Sequence, residues 1–258
     1  MAKSANTTIQ NRSKRDRLES NHVLPTHLVD SPEVSRYIRD LPIGIAPKEH
    51  ILFSLGVKLL RGLPNPAITE LISQYEYPIV DLPTPPTSKS DLLGAAYQYL
   101  NSKAENLASG IFYTSGTLAS RVMREMGISS GRRVLDPSCG SGSFLFAADT
   151  DPELIVGVDS DPLAVMIARF NYFRRFPDAP LPQIHCDDFF QWRGRNQEQR
   201  FDAIVGNPPF GANLDQAAIP SLHVFSGESF SYFIELSFDL LSDDGRLVFI
   251  VPEALLNG

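Results

Sequence analysis

The chain has 258 residues, 43% of them hydrophobic and 10% aromatic, enough for one sizeable core and a small second domain. Its 23 basic and 30 acidic residues leave a net charge of −7, so a polyanionic partner would need a local patch or a second chain to hold its phosphates. A polar, basic stretch from Met1 to Ser20, no apolar run of membrane-spanning length and two isolated cysteines, Cys139 and Cys186, argue against a secretory leader, a membrane anchor, a disulfide scaffold and a zinc site, and fit a cytoplasmic protein.

Residues 1–30 read as a basic flexible arm carrying Lys3, Arg12, Lys14, Arg15 and Arg17 without hydrophobic periodicity. Residues 31–105 read as a helical region. Ser31-Pro32 is a cap followed by proline at the first helical position, and Pro47 starts a helix to about Arg61 with Ile51, Leu52, Leu55, Val57, Leu59 and Leu60 on its apolar side. Four prolines between 78 and 86 form a stiff connector, after which Ser90-Asp91 opens a helix with Leu93, Tyr97 and Leu100 at helical spacing.

From residue 106 the pattern alternates strand and helix, as in a Rossmann-type α/β fold. A loop, Gly110 to Gly116, leads into a helix with Leu118, Val122 and Met126 on one face. The expected strands are Arg133–Leu135, Leu154–Val158, Gln183–Cys186, Phe201–Val205 and Arg246–Val251. Helices are expected at Gly142–Ala148, Pro162–Phe173 (Leu163, Met166, Ile167 and Phe170 inward) and about Phe230–Leu241. A fifth strand followed by only a few residues predicts an uncovered edge, so the sheet is expected to lack its last strands, completed by a missing C-terminal region or by another chain.

Each strand end carries polar residues. Asp136-Pro137-Ser138-Cys139-Gly140-Ser141-Gly142-Ser143-Phe144 is a tight turn in which backbone can approach a ligand. Position 145 is Leu, where a dinucleotide fingerprint has its third small residue, and an acid at the strand end suits a ligand bearing an ammonium better than a pyrophosphate. These features point from a dinucleotide toward S-adenosylmethionine. Asp159, followed by Ser160, lies where it can accept from ribose hydroxyls, whereas Asp161 before Pro162 reads as a helix cap. Asp188-Phe189 offers an acceptor for an adenine amino group and a ring to flank it. The alternative is a capped loop over a buried phenylalanine. Asn207-Pro208-Pro209-Phe210 is a stiff loop with an amide at one end and an aromatic ring at the other, suited to a flat, amino-bearing ring.

Taken together these residues resemble the N6-adenine DNA methyltransferases, most of all the methylation subunits of type I restriction-modification systems and related fused enzymes. Asp91 to Leu100 is similar to the helix that precedes their cofactor motif. Gly110-Ile111-Phe112-Tyr113-Thr114-Ser115 is similar to their Gly-x-Phe-Tyr-Thr-Pro loop, with Ser115 in place of proline, a change expected to loosen it. The resemblance covers residues 91–255 and implies a Rossmann-like methyltransferase sheet over residues 106–258. It implies S-adenosylmethionine as cofactor, held by Tyr113, Thr114, Asp136, Pro137, Gly140, Gly142, Ser143, Phe144, Asp159, Ser160, Asp188, Phe189 and Asn207. It also implies catalysis by Asn207, Pro208, Pro209 and Phe210 on an adenine flipped out of double-stranded DNA, no metal, and a specificity subunit as partner. Two alternatives stand beside this reading: a non-catalytic cofactor-binding subunit, and a methyltransferase acting on RNA or on a protein glutamine.

Overall fold

Capping residues set where the helices begin. The computed structural model describes residues 22, 24, 31–88, 90–101, 114–209 and 229–251. Ser31 accepts from the Val34 amide and starts helix α1 (Pro32–Arg39), as the Ser-Pro pair predicts. Helix α2 (Lys48–Leu60) follows Pro47 and is buried on nearly all sides, while Val57 and Leu59 stay half-buried. Asn65 caps a short helix, α3 (Pro66–Ser73), inside the region expected to be helical. Asp91 caps α4 (Leu92–Leu100) through the Gly94 amide, and Ser115 caps α5 (Gly116–Met126) through the Leu118 amide. The buried face of α5 is Ala119, Met123 and Met126. Leu118, expected inward, is 43% exposed, because the helix docks one position round from the face its apolar residues suggested.

The strands are β1 (Val134–Asp136), β2 (Ile155–Asp159), β3 (Gln183–Cys186), β4 (Phe201–Gly206) and β5 (Leu241–Phe249). All pair in parallel in the order β3-β2-β1-β4-β5, with Leu135 opposite Val156 and Ile204. Helix α6 (Pro162–Arg175), capped by Asp161, buries Leu163, Met166, Ile167 and Phe170 as expected. Helices α7 (Phe189–Arg195) and α8 (Ser229–Phe238) precede β4 and β5. Two expectations need correction. Gly142–Ala148 is not a helix but a turn ending in a 3-10 segment, Leu145–Ala147, because Phe144 and Leu145 sink into the core and Pro152 forces an early return toward β2. The last strand starts at Leu241, five residues before the expected Arg246, and ends at Phe249, and its register slips by three residues between the pairs Phe201–Leu241 and Ala203–Arg246.

Alternation along the strands divides the core in two. Val134, Ile155, Ile184, Ala203 and Val205 face the layer that contains α1, α2, α4, α5 and α6, in one continuous apolar cluster. Leu135, Val156, Val158, Phe201 and Ile204 face Phe189 and Trp192 of α7 and Phe233 and Leu236 of α8. The helices before β1 therefore share the sheet's core. Gly56 of α2 lies so close to α6 that an added Cβ would sit 2.1 Å from the Phe170 ring. Asn65 Nδ2 donates to the Pro177 and Ala179 carbonyls at 2.9 and 2.8 Å, tying α3 to the segment after α6.

Candidate active site

The chain lays β1, β2 and β3 side by side in one direction, then returns to place β4 on the other flank of β1. The loops after β1 and β4 thus diverge at a topological switch point, where open parallel sheets form a ligand crevice. Asp136, Asp159, the Asp187-Asp188 pair and Asn207 all lie at this C-terminal edge.

The loop after β1 is fixed by backbone bonds: the Cys139 amide donates to the Val158 carbonyl at 2.9 Å and the Gly142 amide to the Cys139 carbonyl at 2.8 Å. Gly140 (φ 53°) and Gly142 (φ 88°) adopt left-handed conformations that other residues resist. Their surroundings differ. A Cβ on Gly142 would lie 2.1 Å from the Phe146 ring, whereas one on Gly140 would meet nothing within 4 Å. Gly142 serves the fold, and Gly140 borders open space. Pro137 is buried, Ser143 half-buried, and Phe144, 3% exposed, belongs to the core.

Two carboxylates converge on this loop. Asp136 is 1% exposed, accepts from the Ser138 amide at 3.1 Å, and packs on Gly206 so tightly that a Cβ there would lie 2.9 Å from its Oδ1. Asp159 accepts from the Gly140 amide through Oδ2 (2.8 Å) and from the Asp161 amide through Oδ1 (2.9 Å). Burial pushes both acids up, Asp159 to about 6 and Asp136 well above the usual carboxylate range, against the opposing pull of those amides. Among the described residues neither has a salt-bridge partner. A crevice with one buried and one half-buried carboxylate, neither paired with a cation among the described residues, suits a ligand that brings positive charge.

Asp161 caps α6 through the Leu163 amide at 2.9 Å, as the sequence predicts, and accepts from the Tyr97 hydroxyl. Ser160 is exposed. Asp188 caps α7 through the Gln191 amide at 3.0 Å, and Phe189, 2% exposed, stacks on Phe233 with ring centroids 5.1 Å apart. Both take the capped, buried arrangement named as the alternative, which leaves the second Asp188 oxygen as the part that can meet a ligand. Asn207 and Pro209 are half-buried and Pro208 is buried; the Pro209 carbonyl accepts from the Ser229 hydroxyl. Thr114 is buried beside Ser115, while Tyr113 and Phe210 lie outside the described residues.

Three polar residues escaped the sequence reading. Tyr97 was only a member of an apolar stripe, yet its hydroxyl reaches Asp161. Asn171, buried on α6, donates through Nδ2 to Asp91 Oδ1 at 2.7 Å and to the Ser141 carbonyl at 3.1 Å, joining α4 to the glycine loop. A lone amide in an inward-facing helical row was the available signal. Ser229 braces the Asn-Pro-Pro loop and had none. Among the described residues no cluster of His, Cys, Asp or Glu is placed to hold a metal, and no helix is long and apolar enough to cross a membrane.

Comparison with known proteins adds an independent line. A family model described as N-6 DNA Methylase matches residues 88–258. The type II methyltransferase M.CvrRI of Paramecium bursaria Chlorella virus XZ-6E is 28% identical over 163 residues, 60% of this chain and 39% of that protein. The type I restriction enzyme MjaIX methylase subunit of Methanocaldococcus jannaschii is 30% identical over 132 residues, 46% of this chain and 23% of its own length. The chain thus spans well under half the length of these curated relatives. The crystal structure of a type I restriction-modification methyltransferase subunit from Streptococcus thermophilus superposes with a TM-score of 0.50 at 22% identity, covering 64% of this chain and 40% of that one, which establishes a shared fold.

Proposed function

The chain belongs to the N-6 DNA methylase family, and we propose that it transfers a methyl group from S-adenosylmethionine to the N6 amino group of adenine in DNA. We place it in a restriction-modification or phage-defence setting in the cytoplasm. The observation that carries this reading is the pair of carboxylates, Asp136 buried and Asp159 half-buried, which have no salt-bridge partner among the described residues and share the strand-end switch point with the Asn-Pro-Pro loop. When bound, the cofactor would supply an electrophilic methyl group and a positive charge beside these carboxylates. Asp136 and the Gly140–Gly142 turn would hold its amino-acid end, Asp159 would accept from its ribose hydroxyls, and Asp188 with Phe189 would serve its adenine; Tyr113 and Thr114 would serve its methionine end, by likeness to the family's Tyr-Thr loop.

Adenine N6 is a weak nucleophile because its lone pair is delocalised into the ring. The Asn207 side-chain oxygen and the Pro208 carbonyl accept from its two N–H groups and draw the nitrogen toward tetrahedral geometry. Pro209 holds the loop stiff, with its own carbonyl engaged by Ser229. Phe210 stacks on the flipped base, offsetting by about 1–3 kcal/mol part of the cost of unstacking it. Positioning and preorganised dipoles in a dry site supply the rest. The acidic balance of the chain fits a partner, such as a specificity subunit, that supplies much of the phosphate grip and selects the target sequence.

The test compares wild type with Asn207→Ala for cofactor affinity by calorimetry and for methyl transfer to DNA, RNA and protein side by side. Transfer to DNA should fall at least about 100-fold in the variant while cofactor affinity stays within about threefold. Equal turnover in the two proteins, or transfer to RNA or protein alone, overturns the reading.

A further inference from the structure

We propose that Tyr97 is a positioning residue of the cofactor pocket: its hydroxyl holds the Asp161 carboxylate away from Asp159 and so keeps Asp159 and the Gly140 turn set for a ligand. The inference rests on the reading of this crevice as an S-adenosylmethionine site.

The bonds form one directed chain across three helices. Lys48 Nζ, at the start of α2, donates to Asn101 Oδ1 at 2.8 Å. Asn101, buried at the end of α4, is hydrogen-bonded to the Tyr97 hydroxyl, and Tyr97 donates to Asp161 Oδ2. The other Asp161 oxygen accepts from the Leu163 amide, so both are committed, and the Asp161 amide donates to Asp159 Oδ1. The second Asp159 oxygen holds the Gly140 amide. Each donor points toward the acids, an arrangement in which bonds polarise one another. Tyr97 is 4% exposed, and desolvation beside Asp161 pushes its hydroxyl far upward, so it stays protonated and remains a donor.

Removing the hydroxyl leaves one Asp161 oxygen without a donor, two residues from the half-buried Asp159 carboxylate of the same sign. The freed oxygen repels Asp159 and loosens the Asp161 amide that orients it, and the disturbance passes through Asp159 to Gly140. The effect should depend on the charge at 161, which separates it from lost packing.

The experiment measures S-adenosylmethionine affinity by calorimetry for the full chain, for Tyr97→Phe, for Asp161→Asn and for the double variant, with thermal midpoints recorded without ligand. Tyr97→Phe should weaken binding about tenfold, and adding Asp161→Asn to it should cause no further loss, as expected of directly coupled neighbours. Wild-type affinity in Tyr97→Phe overturns the inference. Losses that add in the double variant, with a parallel drop in thermal midpoint, show a packing role and overturn it as well. A folded wild-type chain without affinity for S-adenosylmethionine overturns the functional reading itself, and the inference with it.

Discussion

Replacing Asp159 by Asn should make stability depend on pH differently from wild type, by an amount the structure sets. Burial raises the Asp159 carboxyl from 3.8 to about 6, although two backbone amides favour its charged form. That displacement corresponds to about 3 kcal/mol between the two protonation states. The sign follows from linkage: a carboxyl whose folded value is raised favours folding fully below its unfolded value of 3.8, and that advantage is lost as pH rises through about 6. Below pH 4 the protonated acid and the amide make similar demands on the site, so wild type and Asp159→Asn should differ by a nearly constant offset from hydrogen bonding, about 1–2 kcal/mol. Between pH 4 and 7 wild type should lose up to about 3 kcal/mol relative to the variant, roughly 6–12 °C of thermal midpoint for a protein of this size. The assay is thermal or urea denaturation of both proteins without ligand at half-unit steps from pH 4 to 8, read as the difference between them. In the same series wild-type affinity for S-adenosylmethionine should rise with pH through about 6 as the carboxylate ionises, and the variant should show weak binding without that rise. A stability difference that stays flat with pH refutes the argument that this acid is held at a desolvation cost for a ligand.

The two loop glycines should respond differently to alanine. Gly142→Ala meets both a φ of 88° and the Phe146 ring, so it should lower stability by about 2–4 kcal/mol in a denaturant titration. Gly140→Ala meets only its φ of 53° and should cost about 1–2 kcal/mol, yet lose cofactor affinity at least as severely, as measured by calorimetry. Gly56→Ala should destabilise the chain by about 1–3 kcal/mol, because its Cβ overlaps Phe170, and Phe170→Leu in the same chain should recover part of that loss in thermal midpoint.

The sequence alone determined the order of elements and the chemistry at strand ends. Proline and capping residues marked helix starts at Pro32, Leu92 and Pro162, and short β-rich runs ending in Asp136, Asp159 and Gly206 marked strands, because those signals act within a few residues. Where tertiary packing competed with local pattern, the sequence misled. The turn at 145–147 is short because Phe144 and Leu145 are needed in the core, and α5 buries Met126 and half-buries Val122 as expected but adds Ala119 and Met123 and leaves Leu118 exposed. Only the folded structure decided which polar atoms meet. Tyr97 and Asp161 are 64 positions apart, Asn171 and Asp91 80 apart, and Ser229 and Pro209 20 apart. Helical periodicity tells which side of α4 is buried, but the partner of a hydroxyl on that side depends on where α6 docks, and that is fixed by close packing such as Gly56 against Phe170. The burial that raises Asp136 and Asp159 has the same origin: an aspartate at a strand end is legible in the chain, and its isolation from water is a property of the assembled layers.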